Sequence, residues 1–184
     1  MKFYLIRHGM TKGNGEKRYV GGRTDEDLTQ AGIEELKRRN CPDVERVYAS
    51  PMKRCVHTAE ILYPRQEIFV KKEFRETDFG RFENKNYQEL KEEKAYQDWL
   101  KTGGTRAFPE GESKEEVRSR VLGGFRQVFC EMQSQNLQTA ALVVHGGTIM
   151  YLMEAYGGEE KGFYDYQIEN GGCICLSVKC TLKK

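Results

Sequence analysis

Two of the three histidines in this 184-residue sequence end apolar runs in the same way. Residues 4–9 read Tyr-Leu-Ile-Arg-His-Gly, and residues 142–147 read Leu-Val-Val-His-Gly-Gly. Arg7 leaves the first run beside His8, and Arg54 follows the apolar stretch 44–49 in the segment Ser-Pro-Met-Lys-Arg. Guanidinium forks keep their charge at any working pH and match the oxygens of a phosphoryl group. A neutral imidazole attacks phosphorus when its second ring nitrogen holds its proton on a nearby backbone carbonyl. Gly9, Gly146 and Gly147 let the backbone approach such a ligand closely, and helix N-termini add amide donors. Arg7, Arg54 and His145 would then balance charge on the equatorial oxygens, which a magnesium ion does elsewhere. A departing alkoxide also needs a proton. Phe-Arg-Glu-Thr-Asp-Phe-Gly, residues 74–80, offers Glu76 or Asp78 for that work.

These groups meet only if their segments end at one edge of a sheet. Phe3–Ile6 and Leu142–Val144 are continuous apolar runs, as expected of strands covered on both faces. Val44–Ala49 and Ile68–Phe74 read as further strands. Residues 29–39 read as a helix, and a second helix is expected to start with Ser50 as its cap and Pro51 in its first position. From Glu112 to Gln133, Val117, Val121, Leu122, Phe125, Val128, Phe129 and Met132 share one helical face, opened by a Ser113–Glu116 capping box. Asn170-Gly171 marks a hairpin or a tight turn. Helices alternating with buried strands predict an α/β three-layer sandwich, a mostly parallel sheet with helices on both faces. In such sheets ligands bind at the carboxyl ends of the strands, where His8, His145 and the start of the Arg54 helix all emerge. The chain reads as one domain, residues 1–184, with residues 77–111 inserted over the site. Tyr87, Tyr96 and Trp99 in that insertion suit a substrate pocket and a packed helix face equally well.

Composition narrows the partners. A net charge of +2 is too small to argue for nucleic acid, and 38% hydrophobic with 32% charged residues describes an ordinary globular chain. The four apolar residues before Arg7 are too few for a signal peptide, and no run approaches a membrane span, so a cytoplasmic protein is expected. Six cysteines, at positions 41, 55, 130, 173, 175 and 180, are spaced irregularly and fit a reduced protein. Cys173 and Cys175 share a strand face without a partnering histidine, which favours packing over zinc or redox chemistry. No cofactor is indicated, and no carboxylate cluster suited to magnesium is apparent.

In order along the chain, Leu-Ile-Arg-His-Gly-Met-Thr-Lys-Gly-Asn, Leu-Thr-Gln-Ala-Gly, Ser-Pro-Met-Lys-Arg-Cys-Val-His-Thr-Ala, Phe-Arg-Glu-Thr-Asp-Phe-Gly, Pro-Glu-Gly-Glu-Ser and Val-Val-His-Gly-Gly-Thr closely resemble the histidine phosphatase superfamily, the phosphoglycerate mutase-like proteins. The pattern is most similar to the small α-ribazole phosphatase-like branch. The resemblance implies that His8 accepts the phosphoryl group, that Arg7, Arg54 and His145 complete its pocket, and that Glu76 rather than Asp78 is the proton donor. It further implies substrate contacts from Asn14, Gly21 and Gly146, with no metal. His57 is not implied as a third catalytic histidine. Met10, Met150 and Asn84 depart from the residues usual at their places, which bears on substrate identity. The expected activity is a phosphomonoesterase acting on a small phosphorylated metabolite, such as α-ribazole 5′-phosphate. A phosphoglycerate mutase and a non-catalytic anion-binding module are the rivals. Neither nucleic acid nor membrane is expected as a partner, and a homodimer is left open.

Overall fold

The computed structural model describes residues 1–158 and 161–179, so Cys180 lies outside the described residues. In chain order the elements are β1 (Lys2–Arg7), α1 (Lys12–Gly15), α2 (Gln30–Lys37), β2 (Arg46–Ala49), α3 (Lys53–Leu62), β3 (Ile68–Val70), α4 (Tyr87–Leu90), α5 (Lys94–Lys101), α6 (Lys114–Ser134), β4 (Thr139–Val144), α7 (Gly146–Tyr156) and β5 (Cys173–Ser177). Short 3-10 turns occupy Lys72–Phe74, Gly80–Phe82 and Phe163–Tyr166. The sheet order is β3-β2-β4-β1-β5. Its first four strands run parallel, and β5 closes the edge antiparallel to β1.

The expected α/β layering is present. Alternation along β1 and β4 sends Phe3, Leu5, Leu142 and Val144 into one core with α6 and α7. Ile6, Ala141 and Val143 enter a second core on the opposite face, with Cys55 and Ala59 of α3. All seven apolar positions expected on α6 are buried, and its Ser113–Glu116 capping box forms. Among the described residues no helix is long and apolar enough to cross a membrane.

Register carries the design of the edge. Arg7 lies opposite Val144, and Val143 opposite Ala49, so β1 and β4 end level and β2 ends one residue earlier. The residues that follow are His8, His145 and Ser50. Their backbones are tied as well: the amide of His8 donates to Val144 O and that of Ser50 to Val143 O, both at 3.0 Å.

Several boundaries differ from expectation. The third strand stops at Val70, and Lys72–Phe74 turns into a 3-10 helix that points Phe74 into the core. The helix carrying Arg54 begins at Lys53 rather than Pro51, with Met52 at its cap and no side-chain cap bond. Ser50 lies two residues before that cap, and its hydroxyl accepts from Met52 N at 3.4 Å and lies 2.7 Å from His145 Nε2. The carboxylate of Asp25 accepts from Lys53 N instead, at 2.8 Å. Asn170-Gly171 is the tight turn of the two alternatives, because the chain before it is 3-10 helix and loop rather than strand.

Phe125 sits at the centre of the larger core, fully buried and edge-on to Phe3 at 4.8 Å. Truncating it leaves a cavity and is expected to cost about 3–5 kcal/mol. Urea unfolding of Phe125→Ala measures this; a loss below about 1 kcal/mol would contradict the assigned core face.

Candidate active site

His8 leaves β1 almost buried, 3% exposed. Its Nδ1 lies 2.8 Å from Gly9 O. A carbonyl can only accept, so Nδ1 carries the proton and Nε2 offers its lone pair. The Gly9 amide is held in turn by Thr58 Oγ1 at 2.9 Å, and that hydroxyl donates to Arg54 O at 2.6 Å. His145 is the N-cap of α7, and its ring meets that of His8 edge-on with centroids 5.2 Å apart. Cys55 Sγ packs 3.6 Å from His145 Nε2.

Arg54 is fully buried beside them. Its Nη1 donates to Thr24 O at 2.8 Å, and its Nη2 to Gly21 O at 3.2 Å and Val20 O at 3.4 Å. Arg7 Nη1 donates to Ile168 O at 2.7 Å. The Nε donors of both arginines are buried without a protein partner. Unsatisfied buried donors are rare and point to a ligand that would accept from them. The first turn of α7 is wedged between the charged groups: a Cβ on Gly146 would sit 3.6 Å from Arg7 Nε, and one on Gly147 3.1 Å from Glu76 Oε1. Two guanidiniums and a helix N-terminus around a neutral imidazole suit a tetrahedral oxyanion.

Glu76 lies across from this cluster, 9% exposed, with Oε1 accepting from Thr77 N at 2.8 Å. It opens onto a cleft of about 270 Å³ lined by Tyr19, Phe79, Trp99, Phe108 and Met150, among others. Burial raises the carboxyl pKa above its ordinary value, against the opposing pull of Arg54, Arg7 and Arg120. Burial and then Arg54 hold both His8 and His145 well below the usual imidazole range. His145 is therefore neutral, and the 3.9 Å approach of its Nδ1 to Glu76 Oε2 is not an ion pair. A neutral imidazole thus faces a carboxyl disposed to keep its proton.

The remaining residues singled out from the sequence fall in different places. Asp78 is paired with Arg23 at 2.8 Å and accepts from Gly80 N, so Glu76 alone of the two lines the cleft. Asn14 closes a reciprocal cap with Thr11 in α1. Gly21 is buried against Thr77 O and Phe79, with no room for a Cβ, and meets the cluster through its carbonyl on Arg54. His57 pairs with Asp27 at 2.7 Å. The three insertion aromatics divide: Trp99 lines the cleft, Tyr96 is 4% exposed in a small core with Phe82 and Leu90, and Tyr87 is 56% exposed.

Sequence reasoning missed the supports of this cluster. Arg120 of α6 donates to Glu73 O at 2.9 Å and Arg75 O at 2.7 Å, just before Glu76. The same guanidinium grips Glu112, whose Oε2 accepts from Asp78 N at 2.8 Å just after Glu76. The acid is held from both sides. Glu112 stood in a quoted motif, but no local spacing links it to Arg120 or Thr58 to Gly9.

The chain is similar to proteins of known family and fold. The family described as Histidine phosphatase superfamily (branch 1) matches residues 3–180. The chain is 30% identical over 186 residues to "Putative phosphoserine phosphatase 2" of Hydrogenobacter thermophilus, covering 93% of this chain and 86% of that protein. It is 30% identical over 133 residues to "Probable phosphoglycerate mutase GpmB" of Cronobacter sakazakii, covering 67% of this chain and 60% of that one. Its fold superposes on the alpha-ribazole phosphatase from Shigella flexneri with a TM-score of 0.82 at 23% identity, covering 98% of this chain and 92% of that one.

The raised pKa of Glu76 has a consequence for stability. The folded protein binds this proton more tightly than the unfolded chain does, so ionisation costs folded-state stability as pH rises through the raised value. Glu76→Gln is expected to raise Tm relative to the parent near pH 8 and to lose the advantage near pH 4. Equal Tm differences at the two pH values would show that the carboxyl is not desolvated.

Proposed function

The chain belongs to the histidine phosphatase superfamily (branch 1), and on that premise we propose that it hydrolyses a small phosphate monoester through a phosphohistidine on His8. The observation that carries this reading is the His8 ring itself, its proton parked on Gly9 O and its pKa depressed among Arg54 and Arg7, with Glu76 across the pocket.

In the first half-reaction His8 Nε2 forms a bond to phosphorus as the ester P–O bond breaks. Glu76 gives its proton to the leaving oxygen. Arg7, Arg54, His145 and the α7 N-terminus balance charge on the other phosphoryl oxygens. In the second half-reaction the Glu76 carboxylate takes a proton from water as its oxygen attacks phosphorus. The N–P bond breaks, inorganic phosphate departs, and His8 and Glu76 return to their starting states. Turnover falls below the depressed His8 pKa, where imidazolium has no lone pair, and above the raised Glu76 pKa, where the leaving oxygen gets no proton.

The cleft beside Glu76 receives the leaving alcohol. Its aromatic lining, with Met150 and with Lys114 as its one cation among the described residues, favours an alcohol with a flat apolar part over a compact carboxylate. That is compatible with α-ribazole 5′-phosphate, the kind of ester implied by the name of the Shigella neighbour. Phosphoglycerate mutation is the second reading, prompted by the similarity to the Cronobacter protein. It requires an anchor for the substrate carboxylate in addition to the phosphate pocket, and among the described residues the cleft lining offers Lys114 alone.

Two experiments test these statements. Protein incubated with labelled p-nitrophenyl phosphate in excess EDTA and quenched in alkaline denaturant should carry base-stable, acid-labile phosphate on His8, and His8→Ala should carry none and turn over no substrate. Label on another residue, or full dependence on added magnesium, sinks the mechanism. In a panel with alkyl leaving groups, 2-phenylethyl phosphate should exceed O-phosphoserine in kcat/KM by on the order of tenfold, reflecting about 1–3 kcal/mol of apolar burial. 3-Phosphoglycerate should yield free phosphate if it reacts. Rapid conversion to its 2-isomer would establish the mutase reading.

A further inference from the structure

The turn entering β5 grips the backbone at the end of β1, from Arg7 to His8. Gly172 O accepts from Arg7 N, and Gly171 N donates to both Arg7 O and His8 O, each at 3.0 Å. Gly171 adopts a φ of +70°, and a Cβ there would press on Leu36 and Arg39, so this close embrace requires glycine. Within the turn, the side chain of Asn170 reaches three acceptors. Its Nδ2 lies 3.1 Å from His8 O, 3.3 Å from Gly9 O and 3.0 Å from Asn14 Oδ1. Two of these are carbonyls, which identifies the amide group facing them as the NH2.

Two consequences follow from these contacts. Gly9 O receives a donor from each side, His8 Nδ1 and Asn170 Nδ2, so the carbonyl that holds the imidazole proton is fixed in direction from 161 residues away. Asn14 Oδ1 likewise receives Thr11 N at 3.3 Å as well as Asn170 Nδ2. With both lone pairs engaged, the Asn14 amide can meet an incoming phosphate only through its own NH2, as a donor.

We infer that Asn170 is a positioning residue: it holds His8 in the Nδ1-protonated tautomer through Gly9 and turns Asn14 donor-first toward the phosphate. This rests on the phosphohistidine reading only for its effect on rate; the tautomer itself is independent of what the protein hydrolyses. Replacing Asn170 with alanine frees Gly9 O from one donor. Replacing it with aspartate keeps the shape but sets a carboxylate against three oxygens and beside His8. The charges that already act on the His8 ring are Arg54 from α3 and Arg7 from β1, both opposing its protonation. An added carboxylate works against them.

The test is 15N-detected NMR of the ring nitrogens in Asn170→Ala and Asn170→Asp, with the His8 signals identified by their loss in His8→Ala. The parent should show Nδ1 protonated and Nε2 bare. Asn170→Ala should show a mixture of the two neutral tautomers and a kcat at least tenfold lower on p-nitrophenyl phosphate. Asn170→Asp should shift His8 protonation to higher pH. If His8 stays wholly Nδ1-protonated in both variants, the inference is overturned, whether or not activity falls. Should one variant fail to fold, the other decides by the same ring signals. A parent without turnover but with the expected tautomer shift would refute the hydrolase reading and leave this one standing.

Discussion

A guanidinium with no access to solvent governs the site. Arg54 heads the fully buried side chains by volume among the described residues. Taking such a charge out of water costs several kcal/mol unless its donors are matched. Here carbonyls of Val20, Gly21 and Thr24 meet two of its nitrogens, while Nε remains for a ligand. The same charge lowers the pKa of both histidines. Burial is the leading cause of their neutrality, and the field of Arg54, held under the 20–24 loop, adds to it. That loop is in turn pinned by Glu83, which accepts from Gly21 N and Arg23 N at 3.2 Å each. Backbone carbonyls, rather than a countering carboxylate, stabilise the cation without cancelling its field at the imidazoles.

Much of this was legible before any fold was known, for a physical reason. A strand buried on both faces shows itself as an unbroken apolar run, and a polar side chain ending such a run must emerge at the sheet edge. That logic located Arg7, His8 and His145. The register of β1, β4 and β2, whose ends lie within one residue of each other, is what turned three separate ends into one cluster. Helix α6 was equally plain, since its seven-residue stripe and its cap are local. The reading of Ser50 as the cap missed because the helix starts only at Lys53, leaving the Ser50 hydroxyl to accept from Met52 N at 3.4 Å. Local propensity favoured the helix, but the fold brought His145 within 2.7 Å. The extended strand to Phe74 failed similarly, because Lys72–Phe74 bends to bury Phe74 against α6.

What stayed hidden was whatever depends on partners distant in sequence. Thr58 and Gly9 lie 49 positions apart, and Arg120 and Glu73 lie 47 apart. Neither pair leaves a periodic trace, and an arginine on an exposed helix face reads as a solvated charge. The Pro-Glu-Gly-Glu-Ser segment drew notice as a motif, but its physical role emerges only when Glu112 is seen gripping both Arg120 and Asp78 N. Supports of this kind act on direction rather than on chemistry. They hold the carboxyl of Glu76 where it can hand over a proton.

The aromatic lining around Glu76 ties selectivity to acidity. Tyr19, Phe79, Trp99 and Phe108 come from loops and α5, whereas Met150 and Tyr151 come from α7, so the cleft has two walls of separate origin. Edge-to-face contacts fix the first wall, with Phe79 5.0 Å from Phe108 and 5.2 Å from Tyr19. These apolar surfaces exclude water from Glu76, and desolvation is the leading cause of its raised pKa. The same surfaces would hold the organic part of an ester. Acid strength and leaving-group preference are therefore not independent properties here. A polar substitution in either wall hydrates the carboxyl and loosens the hold on an apolar alcohol together. A substrate that fills the cleft completes the desolvation that keeps its own proton donor protonated.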